Sequence, residues 1–292
     1  MTGNRIVLAV LVLLFTGPLA AGPTLFGTGP RTLWEGGKDI QFDTVVSYQH
    51  RMFEHDHPIS NPRDMRVFKV QWEPGIAYGV TRDFSVKGVF PVAYAEKSSK
   101  DMETAFFGLG DFKVAGKYSL YNEPFPGGSA QAGTFVMLRL PTAKKRKDLS
   151  LGNETFGVMA GVSAAWGDLD HTFIFDAVVS ASSQRSGSGM GPGVKLHGSY
   201  SYRPIEMTDY QDLDFNIMAE LDLDARSYGR MNGKVNPNSG HYIVSAAAGV
   251  MVGISGKLDI KLGYELPLYR QVFGRQMVNE GTGVLAISLL LK

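Results

Sequence analysis

Apolar and polar residues alternate with a period of two along residues 212–224. The odd positions, from Leu213 to Leu223, are all apolar, and the even positions are polar and mostly acidic apart from Met218. Successive side chains of a β-strand leave opposite faces, so this period predicts a strand. In a soluble sandwich its apolar face would be core, whereas in a membrane barrel that face would meet lipid and the acidic face would line the lumen.

The same alternation recurs along most of the chain and predicts eleven further strands. They fall within residues 39–49, 68–80, 84–94, 111–120, 135–140, 156–166, 171–182, 194–203, 242–253, 258–266 and 285–291. Many of these segments approach the ~9–11 residues that a tilted strand needs to cross a bilayer. The predicted strands number twelve, and bacterial barrels of the outer membrane have an even number of strands.

Connections between these segments tend to alternate in length. Residues 81–83, 167–169 and 255–256 are short, whereas residues 52–65, 141–153, 183–191, 225–239 and 270–281 are long. Short turns at one end and long loops at the other are typical of an up-and-down barrel. Residues 122–131 and 204–211 are longer than this scheme expects.

Aromatic residues lie near the ends of the predicted strands, on the apolar face. They are Tyr48, Tyr78, Tyr94, Tyr118, Trp166, Tyr202, Tyr242 and Tyr264. A membrane interface favours such side chains, whereas a sandwich core does not need them at its edges. We therefore predict an all-β fold, a single up-and-down antiparallel transmembrane β-barrel of about 12 strands, rather than a soluble sandwich.

The first residues predict export. Arg5 gives a basic start, residues 6–15 are apolar, and small residues precede a cleavage site after Ala21. We assign residues 1–21 to a signal peptide and residues 22–292 to the barrel, in the outer membrane of a Gram-negative bacterium. The chain has no cysteine, which excludes a disulfide-stapled module, and its net charge of +1 gives no case for nucleic acid.

Several short motifs resemble those of a known family. Residues 108–121 (GLGDFKVAGKYSLY), 78–84 (YGVTRDF), 140–142 (LPT) and 266–271 (LPLYRQ) resemble the outer-membrane transporter-like family named for the meta-pathway of phenol degradation. The resemblance implies a barrel that passes small molecules, aromatic or hydrophobic ones among them. Such chains usually end in an aromatic residue, whereas this one ends in Leu291-Lys292.

Charged residues on the polar face are the candidate solute path. They are Lys69, Glu73, Lys87, Asp111, Lys113, Lys117, Arg139, Lys195, Asp214 and Glu220. Pairing strands eight and nine symmetrically predicts that Lys195 faces Glu220. A charged constriction would select solutes. Alternatively, the barrel fills its interior with cross-strand ion pairs and acts only as a structural or ligand-binding barrel with a plugged lumen, through its outer loops.

Two histidine motifs have competing interpretations. His55 and His57 offer imidazole ligands for a transition metal, but histidines in a polar loop are more often solvated. His197 and Ser199 share a face, as a nucleophile and its base require, and would suit a lipid-modifying enzyme. That face points to the lumen, away from lipid. We therefore expect no enzyme, no cofactor and no metal.

The expected partners follow from the barrel. They are outer-membrane lipid and lipopolysaccharide, a small-molecule solute and the outer-membrane assembly machinery. The run Lys144–Lys147 would bind lipopolysaccharide phosphates if its loop is external, although a solvated basic loop explains it equally well.

Overall fold

The computed structural model describes the chain in seven stretches, residues 24–100, 102–143, 145–146, 149–153, 155–184, 187–205 and 213–291. The predicted signal peptide lies outside them, as do Lys144, Lys147 and Lys292. In the described part of the chain, no helix is long and apolar enough to span a membrane.

The described residues form β-strands. In chain order they are β1 (Lys38–His55), β2 (His57–Ile59), β3 (Arg66–Gly79), β4 (Phe84–Val89), β5 (Val92–Ser98), β6 (Glu103–Leu109), β7 (Lys113–Phe125), β8 (Gly128–Arg139), β9 (Lys145–Arg146), β10 (Leu149–Ser150), β11 (Gly157–Asp168), β12 (His171–Ser182), β13 (Gly193–Tyr202), β14 (Leu213–Arg226), β15 (Arg230–Met231), β16 (Lys234–Val235), β17 (His241–Ile254) and β18 (Leu258–Leu291).

Eleven of these strands form one closed antiparallel ring. Their order is β1, β18, β17, β14, β13, β12, β11, β8, β7, β4 and β3, and pairing of β3 with β1 closes the ring. β4 and β5 both pair with β3, in the same register, and are separated by a break at Phe90 and Pro91. β6 pairs with the other edge of β5. The predicted all-β barrel is therefore confirmed.

The last strand of the ring contains two antiparallel legs. The first half of β18 pairs with β17 and the second half with β1. The Leu290 amide donates to the Lys257 carbonyl (2.7 Å), which brings the end of the strand back beside its beginning. Gly274, with a φ of 68°, lies near the reversal, where glycine tolerates a positive φ. With the two legs of β18 counted separately, the eleven strands cross the wall twelve times, which agrees with the predicted number of about twelve. An antiparallel ring can close only with an even number of crossings.

Buried and exposed faces are inverted relative to a soluble sheet. In β14 the side chains of Glu220 and Asp222 are buried, with 4% and 3% of their surface exposed, whereas Leu221 is 55% exposed. The polar face therefore points into the ring and the apolar face points out. Because leaving an apolar face in water is unfavourable, this arrangement requires an apolar surrounding.

The two ends of the ring differ. One end, called the short-turn end, carries residues 80–83, 126–127, 169–170 and 255–257 as connections; the other, called the long-loop end, carries residues 140–156, 183–192 and 227–240. β1 begins and β18 ends at the short-turn end, where Lys38 pairs with Leu291. The predicted alternation of connection lengths is confirmed in outline.

Aromatic side chains contact one another on the outer face near the short-turn end. The ring of Phe173 lies 5.9 Å from Trp166 and 5.0 Å from Tyr200, centroid to centroid. His171 joins this group through its Nδ1, which lies 2.8 Å from the Tyr200 hydroxyl. Such a belt fits a boundary between an apolar layer and water.

Two predicted loops are wrong. Residues 122–131 are mostly strand, because Asn122 pairs with Gln131 and only Pro126 and Gly127 form the turn, with Gly127 at a φ of 82°. Residues 270–281 belong to the continuous β18. In both places the polar composition indicates a loop, but the strands continue past the apolar band, where polar side chains face water.

Candidate functional site

The lumen holds an inner segment, residues 24–34, that enters from the short-turn end. At the rim, the Gly36 amide donates to the Gly79 carbonyl (2.9 Å) and the Gly79 amide donates to the Gly37 carbonyl (2.9 Å). Deeper in, Thr24 Oγ1 lies 3.1 Å from Nε2 of His197, in the middle of β13. The segment therefore reaches about halfway along the wall strands.

Buried carboxylates of the wall accept hydrogen bonds from the backbone of this segment. Glu220 accepts from the Leu25 amide at Oε1 (2.5 Å) and from the Phe26 amide at Oε2 (3.1 Å). Asp176 Oδ2 accepts from the Thr28 amide (2.7 Å). Hydrogen bonds to a charged group are the stronger kind, so these carboxylates fix the position of the segment.

Lysines of the wall bind the carbonyl groups of the same segment. Lys117 Nζ donates to the carbonyl oxygens of Thr28 (2.7 Å) and Gly29 (2.8 Å). Lys261 Nζ donates to the carbonyl of Thr24 (2.9 Å). Since the segment has no strand neighbour for its backbone, the charged side chains replace the hydrogen bonds that a sheet would supply.

Two glycines make room for the deepest apolar side chain of the segment. Gly249 and Gly263 lie directly opposite each other on β17 and β18, on the lumen side that faces Leu25. A Cβ atom on Gly263 would overlap Leu25 Cδ1 and lie 2.9 Å from its Cδ2. One on Gly249 would lie 2.7 Å from Leu25 Cδ1 and 2.5 Å from the Leu262 carbonyl oxygen. Any larger side chain at either position would overlap Leu25. We call this pair the Leu25 notch.

Three candidate metal ligands meet beside the segment. His197, Glu220 and Asp222 bring ligand atoms within 4.8 Å of one another. Protein groups already engage them: His197 Nδ1 lies 3.1 Å from Asp222 Oδ1, and Lys195 Nζ lies 2.7 Å from the same oxygen. The donors are therefore satisfied within the wall, and we assign no metal here.

The predicted loop pair does not form a comparable cluster. His55 ends β1 with a φ of 58°, and the side chain of His57 is 82% exposed. Among the described residues, neither belongs to a group of three metal ligands. His57 Nε2 lies 3.4 Å from Asp56 Oδ1. The nearby His50 hydrogen-bonds Asp64 in the adjoining loop, which lowers the pKa of that carboxyl.

The predicted facing of Lys195 and Glu220 is wrong. Lys195 lies opposite Asp224, and Glu220 lies opposite Ser199. The error is four residues in register, an even number, so every side chain keeps its predicted face. Lys195 consequently forms its ion pair with Asp222 instead.

The other predicted path residues lie in separate groups along the wall. Lys113 Nζ forms an ion pair with Glu73 (2.6 Å). Arg203 donates to both oxygens of Asp214, at 2.7 and 3.1 Å, near the short-turn end.

Toward the long-loop end, Arg139 Nε lies 3.8 Å from Asp111 Oδ2. Lys69 Nζ donates to the Leu151 carbonyl at 3.4 Å. Lys87 lines the cavity at the short-turn end. Of these charged residues, Lys113, Arg203 and Arg139 therefore lie in local ion pairs with Glu73, Asp214 and Asp111, whereas Lys69 binds a backbone carbonyl.

The candidate catalytic pair lies inside the barrel. His197 is 2% exposed and Ser199 is 5% exposed, both on the lumen face. The Ser199 hydroxyl donates to Glu220 Oε1 (3.2 Å), while both ring nitrogens of His197 face other residues, Thr24 and Asp222. This arrangement does not present a nucleophile and base to lipid.

Cavities lie on both sides of the deepest part of the inner segment. Toward the short-turn end, a cavity of about 780 Å³ is lined by Lys87, Lys117, Arg203 and Asp214 together with segment residues. Toward the long-loop end, one of about 370 Å³ is lined by Lys195 and Asp222, among others. A second, of about 780 Å³, lies among the loops.

Sequence reasoning missed the inner segment. Residues 22–37 contain many glycines and no periodicity, so they resemble an ordinary lead-in. The one sequence signal is the Leu25 notch, because glycine on the polar face of two strands marks a close approach of other atoms. That signal does not identify which segment approaches.

Comparisons with known proteins support the fold. No protein-family model matches the sequence, and no curated protein matches it. The crystal structure of the COG4313 outer membrane channel from Pseudomonas putida F1 superimposes with a TM-score of 0.72 and 12% identity, covering 92% of this chain and 100% of that chain.

Two autotransporter domains match more weakly. The β domain of the Bordetella autotransporter BrkA gives a TM-score of 0.47 and 13% identity, covering 87% of this chain and 99% of that chain. The translocator domain of the autotransporter NalP from Neisseria meningitidis gives 0.44 and 11%, covering 99% and 94%. The channel from Pseudomonas putida F1 shows that this chain has the barrel fold of an outer-membrane protein; the resemblance to the phenol meta-pathway family stays a prediction.

Proposed function

We propose that this protein is a passive channel for small molecules in the outer membrane of a Gram-negative bacterium, exported by a signal peptide at residues 1–21. The observation that carries the proposal is the inverted barrel, with a continuous apolar outer face and charged cavities on both sides of the inner segment. Water-filled space bounded by charged side chains is what a polar or amphipathic solute needs to cross an apolar layer.

The inner segment forms the barrier between the two ends in this proposal. Glu220, Lys117 and Lys261 hold it across the middle of the lumen. It narrows the path to the space beside the segment and admits only small solutes. The passage of aromatic or hydrophobic molecules rests on the family resemblance alone.

The alternative is a structural or ligand-binding barrel with a plugged lumen. The observation that favours it is the same set of hydrogen bonds, because a segment bound this completely also suits a permanent plug. In both cases the expected partners are outer-membrane lipid, lipopolysaccharide at the long-loop end and the assembly machinery that inserts the barrel.

Single-channel recording of the refolded protein in a planar bilayer separates the two functions. A channel gives discrete conductance steps, and Asp214→Asn lowers its preference for cations because one carboxylate at the short-turn cavity is lost. Glu220→Gln additionally raises the conductance, since it weakens two hydrogen bonds to the segment. A silent bilayer containing folded protein would support the plugged barrel and contradict the channel.

A further inference from the structure

The larger cavity at the long-loop end lies among the connections between strands and has a volume of about 780 Å³. None of the described residues of the inner segment lines it. Side chains that do line it include Thr155, Arg226, Arg230 and His241. Small-molecule sites commonly measure about 300–1,000 Å³, so this cavity has room for a small organic ligand.

Arg226 lines this cavity with an incompletely used guanidinium. Its Nη1 donates to the Met190 sulfur (3.5 Å), and a thioether is a weak acceptor. Its Nε is buried and has no hydrogen-bond partner. Among the described residues, no carboxylate forms an ion pair with it. The edge that contains Nε–H is the edge that arginine offers to both oxygens of a carboxylate.

Two neighbours on other elements also line the cavity. His241 lies directly opposite Arg226, and its Nε2 pairs with the Asp224 carboxylate at 3.6 Å. Thr155 is only 4% exposed, and its Oγ1 has no partner. Buried polar atoms of folded proteins are nearly always hydrogen-bonded, so two unpartnered atoms, Arg226 Nε and Thr155 Oγ1, on residues that line one cavity favour a polar ligand.

The charge around the cavity favours an anion. Arg226 and Arg230 both line it, and no acidic side chain is among its described lining residues. Asp224 is the closest described acidic group to Arg226 along β14. Because a planar pair of oxygens matches the free edge of one guanidinium, a carboxylate fits better than a spherical anion.

We propose that this cavity binds small organic carboxylates, held by both oxygens at Arg226, with His241 and Thr155 as further hydrogen-bonding groups. Binding itself stands apart from conduction. If carboxylate binding is the first step of uptake, organic acids are a substrate class of the channel. That step rests on the proposed channel function.

Calorimetric titration of the refolded full-length protein in detergent with benzoate tests the site, with benzyl alcohol as the uncharged probe. Benzoate binds to the wild type, and benzyl alcohol binds more weakly. Arg226→Gln weakens benzoate binding about 10- to 100-fold, as expected for hydrogen bonds between charged groups. Thr155→Val, which keeps the shape and removes the hydroxyl, weakens it about 2- to 10-fold.

Arg66→Gln is the matched control, because Arg66 also lies at the long-loop end but pairs with Asp64 and does not line the cavity. It leaves benzoate binding unchanged. Equal affinity in wild type and folded Arg226→Gln, or no benzoate binding to the wild type, would overturn the proposal. Bilayer recording of the same samples separates the channel function from the carboxylate site. Benzoate binding with a silent bilayer contradicts the channel alone. Conduction without benzoate binding contradicts the carboxylate site alone.

Discussion

The middle of the lumen and the cavity at the long-loop end treat charged side chains in opposite ways. In the middle, both oxygens of Glu220 accept backbone hydrogen bonds and Lys117 donates to two carbonyls. At the long-loop end, Arg226 and Thr155 are buried or half-buried and carry atoms without partners. Each region concentrates charge in a narrow space, but among the described residues that line the long-loop cavity, Arg226 Nε and Thr155 Oγ1 have no partner within the chain.

This difference teaches how to separate architecture from ligand binding in a polar lumen. A buried charge is costly unless it is paired, so a wall that binds a segment of its own chain is stable without any solute. A wall with unused donors gains from a ligand. Charge alone therefore does not mark a solute site, and the state of its partners does.

The largest expected effect comes from filling the Leu25 notch. Gly263→Val places methyl groups where Leu25 lies, so the inner segment has to leave its position. With Phe26→Cys as the only cysteine in the chain, maleimide labelling in detergent becomes more than about tenfold faster, which corresponds to more than ~1.4 kcal/mol of lost docking free energy. The distant cavity still binds benzoate.

The matched control is Gly198→Val, because a Cβ atom there meets nothing within 4 Å. It leaves the labelling rate of Phe26→Cys unchanged. Unchanged labelling in folded Gly263→Val would mean that the Leu25 notch does not hold the inner segment. It would contradict the claim that the middle of the lumen binds a segment of its own chain.

A smaller effect is expected at the cavity of the long-loop end. Asp224→Asn removes the acidic group beside Arg226 and His241 and therefore tightens benzoate binding. The gain is about two- to fivefold, since partly exposed charge pairs contribute up to ~1 kcal/mol. Titration calorimetry measures it. Weaker binding in this variant would mean that Asp224 positions His241 and does not compete with the ligand.

The alternating pattern alone predicts the barrel wall well. Period two defines which side chains of β14 face the lumen, and the observed burial of Glu220 and Asp222 agrees with it. The same period cannot detect an even slip in register, because such a slip leaves every face unchanged. That is why Lys195 was predicted opposite Glu220 but lies opposite Asp224.

The candidate site could be predicted only in part. The sequence identifies charged lumen residues, but the partners of Glu220 and Asp176 are amides of residues 25–28, about 150–195 positions away. No local pattern encodes contacts of that range. Arg226, Thr155 and His241 were missed for a related reason: each lies at a strand end or in a loop, where alternation stops and neighbours come from three different connections.

Single-channel conductance of the wild type and of a variant lacking residues 25–34 tests most directly whether the inner segment is the barrier in an otherwise open lumen. Both proteins are refolded and recorded in the same bilayer, with folding checked beforehand by far-UV circular dichroism. We expect small discrete steps for the wild type and steps several-fold larger for the deletion variant. Equal conductance, or silence from two folded proteins, would contradict the account.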